Sequence, residues 1–279
     1  MATVVAPPPP AAPEPKKAES ESRVLSPIRE VGEITSFGLR AFAAAPGAWR
    51  YFAEVLRQSG QLILGSTLVL LAMQAVIGGE CGLFFIYLTR PLGATAAVGQ
   101  LQVPCSLREL FPYMFGYIYA AKVGSGLVAE IGSMRISNEI DALDSVGIDP
   151  MKYVVGARLV ACLLVVPLIY IVSMVTGLLG GFLVTTVQLG DLSGAQYLEG
   201  YFSSQALQDN IYSVVKGVSI AVGITVVALY YGYKARGGPV GVGNAVARAM
   251  IVNLVLIHVV AAFWSSVFWG SSAGYPAGG

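Results

Sequence analysis

Charge is scarce in this chain of 279 residues. Only 12% of the residues are Asp, Glu, Lys or Arg, and 55% are hydrophobic, whereas soluble domains usually carry about 25% charged residues. The 17 basic and 16 acidic residues nearly cancel, for a net charge of +1, so the composition does not support nucleic-acid binding. The apolar residues form long runs instead of alternating with polar ones, which indicates an integral membrane protein.

The residues that build metal, disulfide and phosphate sites are also few. Cys81, Cys105 and Cys162 lie far apart without a Cys-x-x-Cys pair, and His258 is the single histidine. This spacing argues against a zinc site and a disulfide framework, and it favours small packing residues. No phosphate-binding loop with its lysine is present, and His258 suits a hydrogen bond between helices. We therefore expect no metal, no bound cofactor and no catalytic site in this chain.

The N-terminal part of the chain changes character near residue 26. Residues 1–25 are rich in Pro, Ala, Glu, Ser and Lys, a composition that predicts a disordered tail and not a secretory signal. In residues 26–58, apolar residues alternate with Arg and Glu, and Pro46-Gly47 interrupts the run. This pattern predicts amphipathic helices on the membrane surface, and helices packed on another protein are the alternative.

Five apolar stretches are long enough to cross a bilayer, which requires about 20 residues of helix. The stretches are 61–88, 108–132, 153–187, 211–233 and 246–270. We therefore predict an all-α polytopic membrane protein with a five-span domain over 59–270 and a short tail over 271–279. Pro167 predicts a kink or tilt in the third span.

Lysine and arginine are unevenly distributed between the two sides that five spans define. Seven of them precede the first span, and seven more lie in and around the loops after the second and fourth spans. The loop 188–210 on the other side contains none. Because basic residues favour the cytoplasmic side, we predict a cytoplasmic N-terminus and an exterior C-terminus.

Charge is concentrated in segment 130–150, between the second and third spans. Ile136, Ile140 and Leu143 recur there at steps of four and three residues, which indicates one face of a helix. We predict a short amphipathic helix at about 133–147 on the cytoplasmic side. It either fits a groove on a partner protein or forms an ordinary solvated turn.

Segments of the sequence resemble the MlaE/YrbE permease family. They are Arg-Glu-Leu-Phe-Pro at 108–112, the run from Ala-Lys-Val-Gly-Ser-Gly to Gly-Ser-Met-Arg at 121–135, Glu-Ile-Asp-Ala-Leu at 139–143 and Gly-Ile-Asp-Pro at 147–150. Gly-Tyr at 232–233 and Gly-Gly-Pro-Val-Gly-Val-Gly-Asn-Ala-Val at 237–246 are similar to the actinobacterial YrbE branch, which serves Mce systems.

The resemblance implies a non-catalytic permease subunit of an ATP-driven lipid transporter in the cell membrane. A separate cytoplasmic ATPase dimer, which holds ATP and Mg, binds the segment called the coupling helix. A second, paralogous YrbE-type permease completes a heterodimer, and MCE-domain proteins lie on the outer side. The substrate is a fatty acid, a mycolic acid, a sterol or a phospholipid.

Two sets of site residues follow from these considerations. For contact with the ATPase we predict Glu130, Gly132, Met134, Arg135, Ile136, Glu139, Ile140, Asp141, Leu143 and Asp144. For contact with lipid we predict one side of the first span, formed by Met73, Val76, Ile77, Glu80 and Phe84. A carboxylate within a membrane helix is a candidate for function, but Glu80 could instead anchor the end of the span at the membrane surface.

Two other functions stay open at the level of sequence. A proton-coupled secondary transporter would carry carboxylates near the middle of the membrane, whereas Glu80 and Glu130 lie near the ends of predicted spans. A membrane scaffold that recruits partners without transport is the second alternative.

Overall fold

The computed structural model describes residues 17–270, with side chains from residue 27 onward, and each element in this range is helical. The helices are α1 (Lys17–Ala44), α2 (Phe52–Thr89), α3 (Val98–Gln102), α4 (Phe111–Tyr119), α5 (Ser125–Ile136), α6 (Glu139–Ser145), α7 (Ala157–Phe182), α8 (Gly194–Ser204), α9 (Leu207–Tyr233) and α10 (Gly238–Trp269). Helix α1 begins inside the predicted tail of 1–25. Residues 1–16 and the predicted tail of 271–279 lie outside the described residues.

Four helical stretches among the described residues are long and apolar enough to cross a membrane. They are Pro27–Leu92, Met151–Gln188, Leu207–Tyr233 and Gly238–Trp269. The second predicted span, 108–132, falls in a fifth stretch, the helical run 98–136, which is not among these four. In this run, the π-helical turns Val103–Leu110 and Ala120–Gly124 join α3, α4 and α5 into one helix.

The direction of the helices shows that the run 98–136 also passes through the bundle. Helices α2 and α7 lie parallel, because Val55 packs with Ala157 near their beginnings and Gly78 meets Gly177 farther along. Two parallel helices in one chain require a return pass between them. Run 98–136 makes that pass, with the side-chain amide of Gln102 donating a hydrogen bond of 3.0 Å to the carbonyl of Gly78.

The remaining two long helices continue the alternation in direction through the bundle. Helix α9 lies parallel to the run 98–136, since Ser213 bonds to the carbonyl of Leu107. Helix α10 lies antiparallel to it, since Ser265 bonds to Glu109 near the C-terminal end of α10. The chain thus passes through the bundle five times, although one of the five helices is more polar than the others.

Five passes give the bundle two ends, which we name by the path of the chain. The near end is where the chain enters α2, and it also carries the loop 137–150 and the turn 234–237. The far end carries the segments 90–97 and 189–206 and the end of α10.

Helix α1 is fastened to the end of α9 at the near end. The hydroxyl of Tyr231 donates to Glu30 at 2.5 Å, that of Tyr230 donates to Glu33 at 2.9 Å, and the ammonium of Lys234 lies 2.6 Å from Glu33. The hydrogen bond that Lys234 donates to Glu33 raises the pKa of Lys234 above its usual value. Several large apolar side chains of α1 are exposed, namely Ile28, Val31, Leu39 and Phe42, which suits a helix at a membrane surface.

A disulfide bond joins Cys81 to Cys105, whose Cα atoms lie 6.4 Å apart. The expectation that these two residues merely fill space was therefore wrong. The antiparallel packing of α2 and the run 98–136 brings the two cysteines together, and their spacing of 24 residues in the sequence does not reveal it. Cys162 is a free and buried thiol.

The contact between α2 and α7 depends on glycine. A Cβ atom at Gly78 would overlap the carbonyl oxygen of Gly177, and one at Gly180 would overlap that of Ala75. Lipid is as apolar as the helix surfaces, so association in a membrane relies on close packing, which small residues permit.

We predict that Gly78→Ala destabilises the protein, because the added methyl group has no room. Overpacking typically costs about 1–3 kcal/mol. Gly65→Ala is the matched control on the same helix, where nothing lies within 4 Å of the added atom. Thermal unfolding in detergent is the measurement. Equal midpoints for the two variants would contradict the close contact.

Candidate functional site

The loop at the near end contains the short helix that the sequence predicts. Helix α6 is preceded by Asn138, at φ 59°, and followed by Gly147, at φ 79°. Gly147 tolerates this left-handed conformation because it has no Cβ, and it ends the helix. Helix α6 is shorter than the predicted 133–147, because α5 continues to Ile136 and the chain turns before α6 begins.

The predicted ATPase-contact residues fall on two elements. Glu130, Gly132, Met134, Arg135 and Ile136 belong to the end of α5, and Glu139, Ile140, Asp141, Leu143 and Asp144 belong to α6. The structure therefore brings the ten residues to one end of the bundle.

Helix α6 has an inner apolar face and an outer acidic face. Ile140 is 1% exposed and packs into the core beside Ile131 and Val154, and Leu143 packs partly against the same core. In this conformation Ile140 contacts the protein itself and is not available to a partner. Glu139, Asp141 and Asp144 are exposed, so the surface that a partner can reach is negatively charged.

Polar contacts hold the loop in shape. Arg135 donates to Asp141 at 2.6 Å, and the Ser137 hydroxyl donates to Glu139 at 2.8 Å. Asp149 lies 2.9 Å from the ammonium of Lys152. The hydrogen bond from Lys152 lowers the pKa of Asp149 below its usual value, so this carboxylate is ionised at neutral pH.

Buried Arg158 connects the two helices that flank the loop. Its side chain is 3% exposed, and Nη2 lies 2.5 Å from Oε1 of Glu130, while Nη1 donates to the carbonyl of Val154. Glu54 of α2, which is paired with Arg57 at 2.7 Å, lines the same cavity of about 820 Å³ beneath α6. A displacement of α6 would therefore affect the positions of the near ends of α5, α7 and α2 together.

A second charged cluster lies at the far end, inside the bundle. The fully buried ammonium of Lys216 lies 2.7 Å from Glu109, 2.6 Å from the Ser265 hydroxyl and 2.9 Å from the carbonyl of Arg108. Arg108 in turn pairs with Asp209 at 3.1 Å. Glu109 keeps 44% of its side chain exposed, so the cluster opens on the side of the bundle.

The sequence analysis missed this cluster as a site. Charged residues within membrane helices are candidates for function by default, and Arg108, Glu109 and Lys216 are visible in the apolar sequence. Their pairing is not visible there, because it joins two spans more than 100 residues apart. His258, by contrast, forms the expected bond between helices, with Nε2 lying 3.0 Å from the Tyr117 hydroxyl.

The predicted lipid contacts lie on the outside of the bundle. Met73, Val76, Glu80 and Phe84 are exposed along α2, and Ile77 is partly buried. They share a side of the helix, as predicted from their spacing. In the single chain this side faces outward, where it can meet lipid or another protein.

A model of the family described as Permease MlaE matches residues 55–267, which include the Arg158–Glu130 pair, the far-end cluster around Lys216 and the near-end loop. The chain belongs to the MlaE permease family. A probable ABC transporter permease protein of Rickettsia conorii is 31% identical over 237 residues, covering 83% of this chain and 90% of the relative. This MlaE-family chain is also similar to MlaE of Haemophilus influenzae, an intermembrane phospholipid transport system permease protein, with 28% identity over 236 residues and coverage of 84% and 90%.

A Synechocystis species also has a protein similar to this chain. A probable ABC transporter permease protein of a Synechocystis species is 29% identical over 193 residues, covering 68% of this MlaE-family chain and 73% of the relative. The likeness thus extends through most of the membrane bundle.

We predict that Glu130→Gln destabilises this MlaE-family permease, because it leaves the charge of buried Arg158 without its partner. Leaving a buried group unsatisfied costs about 1–3 kcal/mol. Asp144→Asn, an exposed carboxylate on α6, is the control and should change little. Thermal unfolding in detergent is the measurement, and a Glu130→Gln protein as stable as Asp144→Asn would contradict the role of the pair.

Proposed function

We propose that this chain is the membrane permease subunit of an ABC lipid transporter and performs no covalent chemistry itself. The observation that carries the proposal is the family membership of a five-pass bundle whose near-end loop presents an acidic face. The Rickettsia relative is named an ABC transporter permease, and the Haemophilus relative a phospholipid transport permease. ATP and Mg would be held by a separate ATPase dimer.

The acidic face of α6 is the proposed contact with the ATPase. Exposed Glu139, Asp141 and Asp144 would meet a groove with basic residues, where charge complementarity gives specificity and fast association. Ile140 would hold α6 to the bundle from the inside, so that the helix moves together with its supports. The Arg158–Glu130 pair would pass that movement to α5 and α7.

Movement of the bundle can transport lipid only if lipid binds the two states with different affinity. We assign the polar part of the lipid to the far-end cluster, because Glu109 is partly exposed beside buried Lys216. The acyl chain remains assigned to the exposed side of α2 that contains Met73, Val76 and Phe84. The substrate class stays a fatty acid, mycolic acid, sterol or phospholipid.

The proposal includes partners and an orientation. A second YrbE-type permease and exterior MCE-domain proteins follow from the resemblance of segment 232–246 to the actinobacterial branch. The near end would face the cytoplasm, because the basic residues cluster in its loops and the loop 188–210 has none. The N-terminus would then be cytoplasmic and the C-terminus exterior.

The double substitution Glu139→Lys with Asp141→Lys should abolish recruitment of the ATPase, because it reverses the charge of the contact face. Glu199→Lys, an exposed charge reversal on α8 at the far end, should leave recruitment unchanged. Affinity purification of the tagged permease with quantification of the bound ATPase is the measurement. Full ATPase binding by a double variant that elutes as folded protein would rule out α6 as the contact.

A measurement of lipid transport distinguishes the proposed ABC permease from a secondary transporter and from a membrane scaffold. In vesicles that contain the purified complex, lipid movement should require ATP, and the Glu139→Lys/Asp141→Lys variant should lose it. Movement driven by a proton gradient without ATP would indicate a secondary transporter. ATPase binding without any lipid movement would indicate a scaffold.

The orientation predicts opposite labelling of the two ends. In a Cys162→Ser background, Ser145→Cys at the near end should resist a membrane-impermeant maleimide in intact cells. Glu199→Cys at the far end should react. Both positions are exposed, so both should react in opened membranes, and the reverse pattern in intact cells would invert the topology.

A further inference from the structure

We propose that the Cys81–Cys105 bond forms on the exterior side of the membrane and holds in place the π-helical turn that carries Arg108 and Glu109. The positions of the two cysteines carry this inference. Cys81 lies on α2 and is buried, and Cys105 lies in the turn Val103–Leu110. Arg108 and Glu109 follow Cys105 within the same turn.

The turn and Gln102, the residue that precedes it, are tied to α2 at two neighbouring points. One is the disulfide bond. The other is the hydrogen bond of 3.0 Å from the amide of Gln102 to the carbonyl of Gly78. Together they fix the start of the π-helical turn against α2, so the turn has little freedom to shift along or rotate about its axis.

The position of this π-helical turn also determines the geometry of the far-end cluster. This turn positions Lys216, because the Lys216 ammonium donates hydrogen bonds both to the carbonyl of Arg108 and to the carboxylate of Glu109. A π-helical turn is rare and is often found at functional sites. Its return to regular α-helical geometry would rotate Arg108 and Glu109 away from their partners, and the disulfide opposes that change.

The exterior location follows from two independent observations. Disulfide bonds form and persist outside the reducing cytosol, and this bond lies toward the far end of the bundle. The loop 188–210 at the same end has no basic residue, as is typical of exterior loops. The remaining cysteine, Cys162, forms no disulfide bond and is buried in the near half of α7.

Formation of the bond removes two protons and two electrons from the two thiols. The electrons pass to the disulfide of an exterior thiol-oxidising protein. One cysteine thiolate attacks that disulfide and forms a mixed disulfide, and the second thiolate then displaces the oxidising protein, which leaves as a dithiol. Because Cys81 is 1% exposed in the folded bundle, this exchange takes place before packing of the far end is complete.

Counting oxidised thiols tests the bond itself. Intact cells are treated with N-ethylmaleimide, the protein is denatured with more of it, and the chain is then reduced and labelled with a polyethylene-glycol maleimide. Wild type and Cys162→Ser should each gain two labels, and Cys81→Ser and Cys105→Ser should gain none. Absence of label on wild type would overturn the proposal.

The same count of oxidised thiols tests on which side of the membrane the Cys81–Cys105 bond forms. In cells that lack the exterior thiol-oxidising protein, the two labels on wild type should be lost or greatly reduced. Two full labels in such cells would show that the exterior oxidant is not needed and would overturn the exterior assignment.

The positioning role rests on the proposed function, because it is measured as ATP-driven lipid movement by the complete purified transporter. The double variant Cys81→Ser/Cys105→Ser should move lipid several-fold more slowly than wild type, and Cys162→Ser should match wild type. The single variants Cys81→Ser and Cys105→Ser, which also lack the bond, should be slowed to the rate of the double variant.

Two failures of this experiment are distinguishable. An active wild type together with an equally active double variant would overturn the positioning role. A wild type that moves no lipid with ATP would overturn the proposed function, while the thiol count would still test the bond and its location.

Discussion

Close packing of α2 against α7 is the contact on which the rest of the bundle depends. Gly78 and Gly180 bring the two backbones together, and the two helices run parallel. This arrangement forces the chain to return through the bundle between them, and the return helix is the run 98–136. That run carries Arg108, Glu109 and Glu130, whose charged partners lie on α7 and α9.

The buried cations Arg158 and Lys216 are tolerated inside this bundle because each is paired with a carboxylate on another helix. Removal of an ion from water is costly unless it gains a partner and hydrogen bonds. At the near end the pair is Arg158 with Glu130, and at the far end it is Lys216 with Glu109. Both acidic partners belong to the run 98–136, so a tilt of this one helix would affect both ends of the protein.

The sequence alone predicts the helical class, the membrane character and the position of the near-end helix, because these follow from hydrophobic runs and local charge. Family resemblance, carried by residues such as Arg108-Glu109 and segment 121–135, is also visible in the sequence, and the match of the MlaE family confirms it. Periodicity identified the apolar residues Ile140 and Leu143 of α6 and placed Ile136, which ends α5, on the same face. It could not reveal that Ile140 faces the core of the same chain, because that depends on how the loop folds back.

Long-range pairings account for what the sequence did not reveal. The bond between Cys81 and Cys105 and the contacts of Lys216 join residues on different helices. Their proximity depends on the relative direction and register of the helices, which glycine contacts set. The count of five passes was correct for the path of the chain, whereas length and hydropathy identify four candidate spans among the described residues, without the run 98–136.

The central claim is that this permease acts with a separate ATPase to move lipid. Purification of the chain from its native membranes in mild detergent, with mass spectrometry of the bound proteins and lipids, tests this claim most directly. The account predicts an ATPase, a second permease, MCE-domain proteins and a lipid in the eluate. A chain that elutes without an ATPase, under conditions that keep other ABC complexes intact, would contradict it.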